Sequence, residues 1–159
     1  EAYEASYLAT YAQSPESLFV LAIEEGRIVG ASTGVPMMDA SAVFRAPFAA
    51  GGVAPETVFY FGESVLLSSY RGRGLGVRFF EEREAYARRL GRFDWCAFCA
   101  VERPKDHPLR PADYMPLDDF WGRRGYAHRA DLRLLLAWQD IDEERETEKP
   151  MSFWLKAAR

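Results

Sequence analysis

A glycine-rich turn between a strand and a helix is the feature that most constrains how this chain can fold. Residues 58–67 form an apolar run rich in β-formers, and residues 75–90 repeat apolar side chains at helical spacing. The turn between them has the sequence Tyr-Arg-Gly-Arg-Gly-Leu-Gly over residues 70–76. The first amides of a helix have no partner within the helix, and glycine has no Cβ to block an approaching anion. This arrangement therefore predicts a phosphate-binding turn.

Two common nucleotide-binding motifs do not match this turn. A P-loop needs four residues between its glycines and then Gly-Lys-Ser/Thr, and the turn contains no lysine. A dinucleotide-binding turn needs Gly-x-Gly-x-x-Gly, whereas the glycines here are Gly72, Gly74 and Gly76. A plain connection between strand and helix stays open as the alternative to a phosphate site.

The periodicity of the remaining sequence predicts alternating strands and helices. The Gly-containing turn 24–27 predicts a hairpin between the first two strands, and Gly91 is expected to end the long helix. Glu84 and Arg88, one turn apart, are expected on the exposed side of the long helix. The segments 36–56 and 102–116 are expected to be long loops, the first with short helical turns around 41–45. The predicted helices are 1–13, 75–90 and 117–124, and the predicted strands are 18–23, 28–35, 57–67, 93–101, 132–139 and 151–156.

The glycine turn resembles the Arg/Gln-x-x-Gly-x-Gly/Ala motif of the GNAT superfamily of acyl-CoA-dependent N-acyltransferases, with Arg71 first and Gly74 and Gly76 in the glycine positions. A second segment, Phe-Trp-Gly-Arg-Arg-Gly-Tyr over residues 120–126, is similar to the family's Phe-Tyr-x-x-x-Gly-Phe. The element order is similar to the GNAT fold from its second helix onward, over essentially the whole chain. The resemblance implies an α/β fold with a mixed sheet, in which a central parallel β-α-β pair is splayed to hold CoA. The family's first strand and first helix are expected to be absent or to lie outside this sequence.

Composition and charge narrow the class of protein. A length of 159 residues, 48% apolar and 28% charged, predicts one soluble globular domain over residues 1–159. The net charge of −4 predicts no general attraction to nucleic acid or to an anionic membrane. Because no run of ~18 apolar residues and no leader is visible, we expect a cytoplasmic protein.

The resemblance also implies how the cofactor, acetyl-CoA, binds. In this family the loop amides hold the CoA pyrophosphate, and the pantetheine lies along the splayed strand like an extra strand. The main chain of residues 66–68 would bind pantetheine, and the guanidinium groups in the turn would add positive charge. The CoA-binding residues implied in this way are Leu66, Leu67, Ser68, Arg71, Gly72, Arg73, Gly74, Leu75 and Gly76.

Glu63 is the candidate general base. It is the only charged residue between residues 58 and 69, and a carboxylate that is desolvated in an apolar strand becomes more basic. The alternative is a β-bulge at Gly62 and Glu63 with the carboxylate facing solvent or an arginine. Many relatives have a Tyr that protonates the leaving thiolate, and Trp121 stands in that place. Tyr114 stands where the family commonly has Asn, and it is a candidate acid or packs against the loop.

Cys96 and Cys99 form a Cys-x-x-Cys within an apolar run that is typical of a strand buried on both faces. Residues three apart on a strand point to opposite faces, so we predict neither a metal site nor a disulfide.

Two functions follow from the resemblance. The first is transfer of an acetyl group from acetyl-CoA to a primary amine by direct attack. The acceptor would be a small-molecule amine or a peptide amine, and the two long loops would form its binding wall. The second is a CoA-binding sensor or interaction module with weak or no catalysis, which Trp121 favours. A homodimer is left open.

Overall fold

The computed structural model describes residues 9–159, in which a six-stranded mixed sheet carries helices on both faces. The strand order is β1-β2-β3-β4-β6-β5; β3 and β4 are parallel, and the other neighbours are antiparallel. The predicted mixed sheet is therefore confirmed. The strands are β1 (Leu18–Glu24), β2 (Arg27–Pro36), β3 (Val58–Leu66), β4 (Trp95–Val101), β5 (Ala127–Trp138) and β6 (Thr147–Ala157), and the helices are α1 (Ala42–Ala50), α2 (Leu75–Leu90) and α3 (Asp118–Gly122).

The turns follow the local sequence closely. β1 and β2 form the predicted hairpin, whose two turn residues, Glu25 and Gly26, both have positive φ. Helix α2 has the predicted bounds and ends at Gly91, which is left-handed with a φ of 72°. Of the predicted first helix, residues 9–13 are helical and residues 1–8 lie outside the described part of the chain.

Two hydrophobic clusters hold the layers together, one on each face of the sheet. On one face, Phe44 and Phe48 of α1 pack against Tyr60 and Phe153 of the strands. On the other face, α2 and α3 cover the sheet through an aromatic cluster. The members of that cluster include Phe59, Phe61, Phe80, Phe93, Phe98, Tyr126 and Trp154.

The segment 36–56 is not the long loop that we predicted, because it contains helix α1. Phe44 and Phe48 lie one helical turn apart and are both buried against the sheet. Pro47 lies inside the helix, where it normally disfavours helical structure. Short helical turns were expected around residues 41–45, and tertiary packing of the two Phe side chains extends the helix to Ala50.

Two further predictions about the second half of the chain are wrong. Strand β5 begins at Ala127 instead of residue 132, because an irregularity between Arg129 and Arg133 breaks its apolar alternation. Glu84 is buried, although it was expected on the exposed side of α2. It accepts hydrogen bonds from the Tyr126 hydroxyl at 3.0 Å and from Lys156 Nζ at 2.8 Å.

The longest helix in the described part of the chain has 16 residues, and none there is long and apolar enough to cross a membrane.

Candidate active site

A fork between β3 and β4 forms the centre of the site. The two strands pair over only three positions, from Val58 with Trp95 to Tyr60 with Ala97. Beyond Tyr60, β3 continues beside β2 and β4 continues beside β6, so their facing edges separate. The amide of Leu67 donates to the carbonyl of Val29 in β2 at 3.0 Å. Because successive residues of a strand turn their main-chain groups to opposite sides, those of Leu66 face the fork. The predicted splay of the central parallel pair is thereby confirmed.

The glycine turn lies directly after the free part of β3. Gly72 and Gly74 have φ of 73° and 82°, a region that disfavours residues with a Cβ, and α2 begins at the next residue. Among the described residues, the five amides from Gly72 to Gly76 donate no backbone hydrogen bond. They are therefore available to an anion at the positive end of the helix dipole.

Two arginines and an aromatic ring border these amides. Arg71 and Arg73 are exposed, and neither has an ion pair within residues 9–159. The Arg73 guanidinium lies 4.9 Å from the centre of the Tyr70 ring. On the other side, a Cβ added to Gly76 would lie 3.7 Å from the ring of Phe120 in α3. The turn is thus positively charged and lies next to α3.

A β-bulge presents Glu63 beside the fork. Ser32 pairs with Ser64 and Gly34 pairs with Phe61, so the single residue Thr33 lies opposite both Gly62 and Glu63. The Glu63 amide donates to Thr33 Oγ1 at 2.9 Å, and the Glu63 side chain is exposed. The desolvation expected from the sequence is therefore absent, because the bulge turns this carboxylate outward. A Cβ at Gly62 would overlap the Tyr11 hydroxyl, so the bulge requires glycine there.

Two polar groups meet at the closed end of the fork. The Tyr60 hydroxyl and Cys99 Sγ lie 3.2 Å apart. Burial raises the pKa of the Cys99 thiol to about 11; the Tyr60 hydrogen bond lowers this pKa, and the nearby charge of Glu63 raises it. Sequence patterns did not indicate Tyr60, since a Tyr in an apolar strand resembles an ordinary core residue.

Cys96 lies on the opposite face of β4 from Cys99, as predicted. It packs in the cluster beneath α2, whereas Cys99 packs against the cluster beneath α1. Burial raises the pKa of the Cys96 thiol to about 12. Within the described residues, no group of three or more His, Cys, Asp or Glu side chains could hold a metal ion.

Tyr114 lies apart from Glu63. Its ring is 48% exposed and lies 5.1 Å from the Arg110 guanidinium, and its amide donates to Pro111 at 3.1 Å. It lines a cavity of about 750 Å³ between the loop after β4 and strands β5 and β6. No residue of β3 or of the glycine turn lines this cavity, so the two candidate catalytic residues are not brought together.

The floor of the same cavity is aromatic. Trp121, which occupies the position of the family's acidic Tyr, lies 5.1 Å from both Phe98 and Trp154 between ring centres. His128 stacks on Trp154 at 4.9 Å, and its Nε2 lies 2.7 Å from Ser152 Oγ. The sequence analysis did not find this His and Ser pair, because the two residues lie on neighbouring strands 24 positions apart.

Comparison with known proteins places this geometry in a family. The chain has the fold of an aminoglycoside 6'-N-acetyltransferase complexed with coenzyme A (14% identity, TM-score 0.62, covering 100% of this chain and 82% of that one). It also has the fold of aminoglycoside 6'-acetyltransferase type Ii (16%, 0.57, 98% and 77%) and of a GNAT acetyltransferase from Staphylococcus aureus (13%, 0.56, 95% and 73%).

No curated protein matches the chain in sequence. The model of the acetyltransferase (GNAT) family, however, matches residues 1–111, which include the fork, the bulge and the glycine turn. The chain therefore belongs to the GNAT acetyltransferase family.

Proposed function

We propose that this protein transfers an acetyl group from acetyl-CoA to a primary amine. Membership of the acetyltransferase family supports acetyl transfer in general. The observation that carries the finer proposal is the fork between β3 and β4, which leads directly into a turn with five free amides. An extended thioester arm and a polyphosphate are the two parts of acetyl-CoA, and the fork and the turn suit them in that order along the chain.

The proposed cofactor position uses main-chain groups almost entirely. The pyrophosphate would accept hydrogen bonds from the amides of Gly72 to Gly76, and Arg71 and Arg73 would neutralise its charge. Within residues 66–68, the pantetheine amides would pair with the main chain of Leu66, as an added strand does at an exposed sheet edge, because the Leu67 amide already donates to Val29. The coenzyme A bound to the aminoglycoside 6'-N-acetyltransferase of the same fold supports this choice of ligand.

In the proposed reaction, Glu63 removes a proton from the incoming ammonium, directly or through a water. The amine nitrogen then attacks the thioester carbon, the new C–N bond forms, and the C–S bond breaks to release the CoA thiolate. The exposed carboxylate beside the fork is accessible to the amine or to a water molecule. The attacking nitrogen loses its second proton to solvent, and the thiolate takes up a proton from solvent, because Tyr114 lines a cavity that contains no residue of β3 or of the glycine turn.

A small-molecule amine is the proposed acceptor. Two acetyltransferases with the same fold act, according to their names, on aminoglycosides, which are small molecules. The segment 36–56, with helix α1, and the loop 102–116 would form the walls around the acceptor. The alternative, a CoA-binding module without turnover, is favoured by Trp121, because an indole packed between Phe98 and Trp154 cannot protonate a thiolate.

Calorimetric titration with CoA tests the cofactor site. Gly74→Asp would place a carboxylate against the pyrophosphate and should abolish binding. The control is Gly52→Asp, because Gly52 also has a positive φ, 71°, with nothing within 4 Å of an added Cβ, but lies outside the turn. Equal loss in both variants, or no CoA affinity in the parent protein, would contradict the proposed site.

Thiol release from acetyl-CoA with a panel of amines tests the chemistry. Glu63→Gln should lower kcat by ~10²–10⁴-fold and leave CoA affinity unchanged, because general-base assistance is worth about that much. Glu148→Gln, at an exposed Glu on β6 outside the proposed cofactor and acceptor segments, is the control. A parent protein that binds CoA and releases no thiol with any amine would favour the module without turnover.

A further inference from the structure

Arg83 is the largest fully buried side chain in the described part of the protein, and its surroundings are unusual for a cation. It lies on α2 with 2% of its surface exposed, and its guanidinium is 4.3 Å from the centre of the Phe61 ring and 4.9 Å from that of Phe80. Burial lowers the pKa of Arg83 to about 10, which leaves it charged at neutral pH.

The buried charge has no carboxylate partner within 4 Å among residues 9–159. The adjacent Glu84 binds Tyr126 and Lys156 instead. Arg83 uses its donors on two carbonyl groups: Nε donates to Phe79 at 3.1 Å, and Nη1 donates to Thr33 at 3.4 Å. Burying an arginine is costly unless its donors are used. The two carbonyl groups are the acceptors that Arg83 has within residues 9–159.

Thr33 connects Arg83 to Glu63. Its carbonyl accepts the Arg83 hydrogen bond from beneath the sheet, and its hydroxyl accepts the Glu63 amide at 2.9 Å across the bulge. Thr33 is also the one β2 residue opposite the two bulged residues, so it has no ordinary partner in the β3 ladder. The carbonyl that an unbulged strand would engage is therefore held by a side chain from α2.

We propose that Arg83 is a positioning residue for Glu63, which it holds at the fork by fixing Thr33 and with it the bulge. This inference rests on the proposed role of Glu63 as the base. Gly62 leaves room for the bulge, and the hydrogen bond from Arg83 fixes the backbone of Thr33 opposite it. The carboxylate of Glu63 is thereby held in one position beside the fork. Loss of Arg83 should lower kcat through Glu63. The KM for acetyl-CoA should be unchanged, because the glycine turn ends at Gly76, about two helical turns before Arg83.

Amide hydrogen exchange followed by NMR tests the geometry without any reference to activity. In Arg83→Met, which keeps an apolar side chain between the two Phe rings, the Glu63 amide should exchange ~10-fold faster or more because its acceptor is released. The Val65 amide, where β3 pairs regularly with Ala31, should keep its rate. An unchanged Glu63 rate would overturn the inference. If the Met variant exchanges faster everywhere, Arg83→Lys, which keeps the charge and loses the forked donor, gives the same comparison.

A double-mutant cycle then tests the link to catalysis. Arg83→Met and Glu63→Gln are measured singly and together by thiol release. If Arg83 acts through Glu63, the double variant should be no slower than Glu63→Gln alone, whereas independent roles give multiplied losses. Multiplied losses would overturn the positioning role. If Glu63→Gln alone has no effect, the proposed base is wrong, and amide exchange still decides whether Arg83 holds the bulge.

Discussion

Replacing Glu84 by Ala should destabilise the fold by an amount that its contacts allow us to estimate. The carboxylate side chain is 10% exposed and accepts hydrogen bonds from Tyr126 and Lys156. Lys156, whose side chain is 30% exposed, can return its ammonium to water, but the buried Tyr126 hydroxyl cannot. Losing a charged acceptor and leaving one buried donor unsatisfied should together cost ~2–4 kcal/mol.

Equilibrium unfolding in urea measures this free energy, and an exposed Glu on the same helix provides the control. Glu82 bonds Arg78 at 2.7 Å with both side chains about half exposed or more, so Glu82→Ala should cost no more than ~0.5 kcal/mol. Since domains of this kind are stable by only ~5–15 kcal/mol, the loss in Glu84→Ala should be plain in the midpoint. Equal midpoints for the two variants would refute the structural role of the buried carboxylate.

Three other outcomes are expected. Gly76→Ala should stabilise the ligand-free protein by up to ~1 kcal/mol in thermal unfolding, because Ala favours helix, yet weaken CoA binding in calorimetry; a variant with unchanged affinity would contradict the proposed amide contact. A thiol reagent at pH 8 should modify neither Cys96 nor Cys99 in the native protein, because burial raises both thiol pKa values to about 11 or 12; rapid labelling would show an accessible thiolate. A hydrogen bond from Lys149, with others from Thr147 and the Asp140 amide, lowers the pKa of Glu143 to about 2. The stabilisation by the Glu143 carboxylate is therefore complete above about pH 4.5 and is lost as the pH falls toward 2. In an acid titration, Glu143→Gln should lack this part of the parent protein's loss of stability.

Local sequence signals predicted the parts of the fold that depend on neighbouring residues. The glycine turn, helix α2 and its end at Gly91 were predicted correctly, because backbone conformation at a glycine and helical periodicity are properties of a short segment. The hairpin at Glu25 and Gly26 was predicted for the same reason. Only helical turns around residues 41–45 were predicted within α1, since its full length is stabilised by packing of Phe44 against Tyr60 of β3.

The candidate site divides in the same way. The proposed CoA-binding residues lie within the short segment 66–76, so a motif could indicate them. The surroundings of Glu63 could not be predicted, because its exposure depends on the strand register that places Thr33 across the bulge. Tyr60 and Cys99 are 39 residues apart in the sequence. They meet only because β3 and β4 run side by side and then separate.

The sequence by itself determined the family, the order of the strands and the position of the glycine turn, because each of these signals is encoded within short stretches of consecutive residues. Tertiary structure alone decided which charged groups are buried. Arg83 and Glu84 are neighbours on one helix and look like ordinary surface residues, yet Arg83 supports the bulge beside Glu63 and Glu84 bonds Tyr126 from a distant segment. The physical reason is that burial and pairing depend on what packs against a side chain. Thr33 lies 50 residues from Arg83 in the sequence, and Tyr126 lies 42 residues from Glu84.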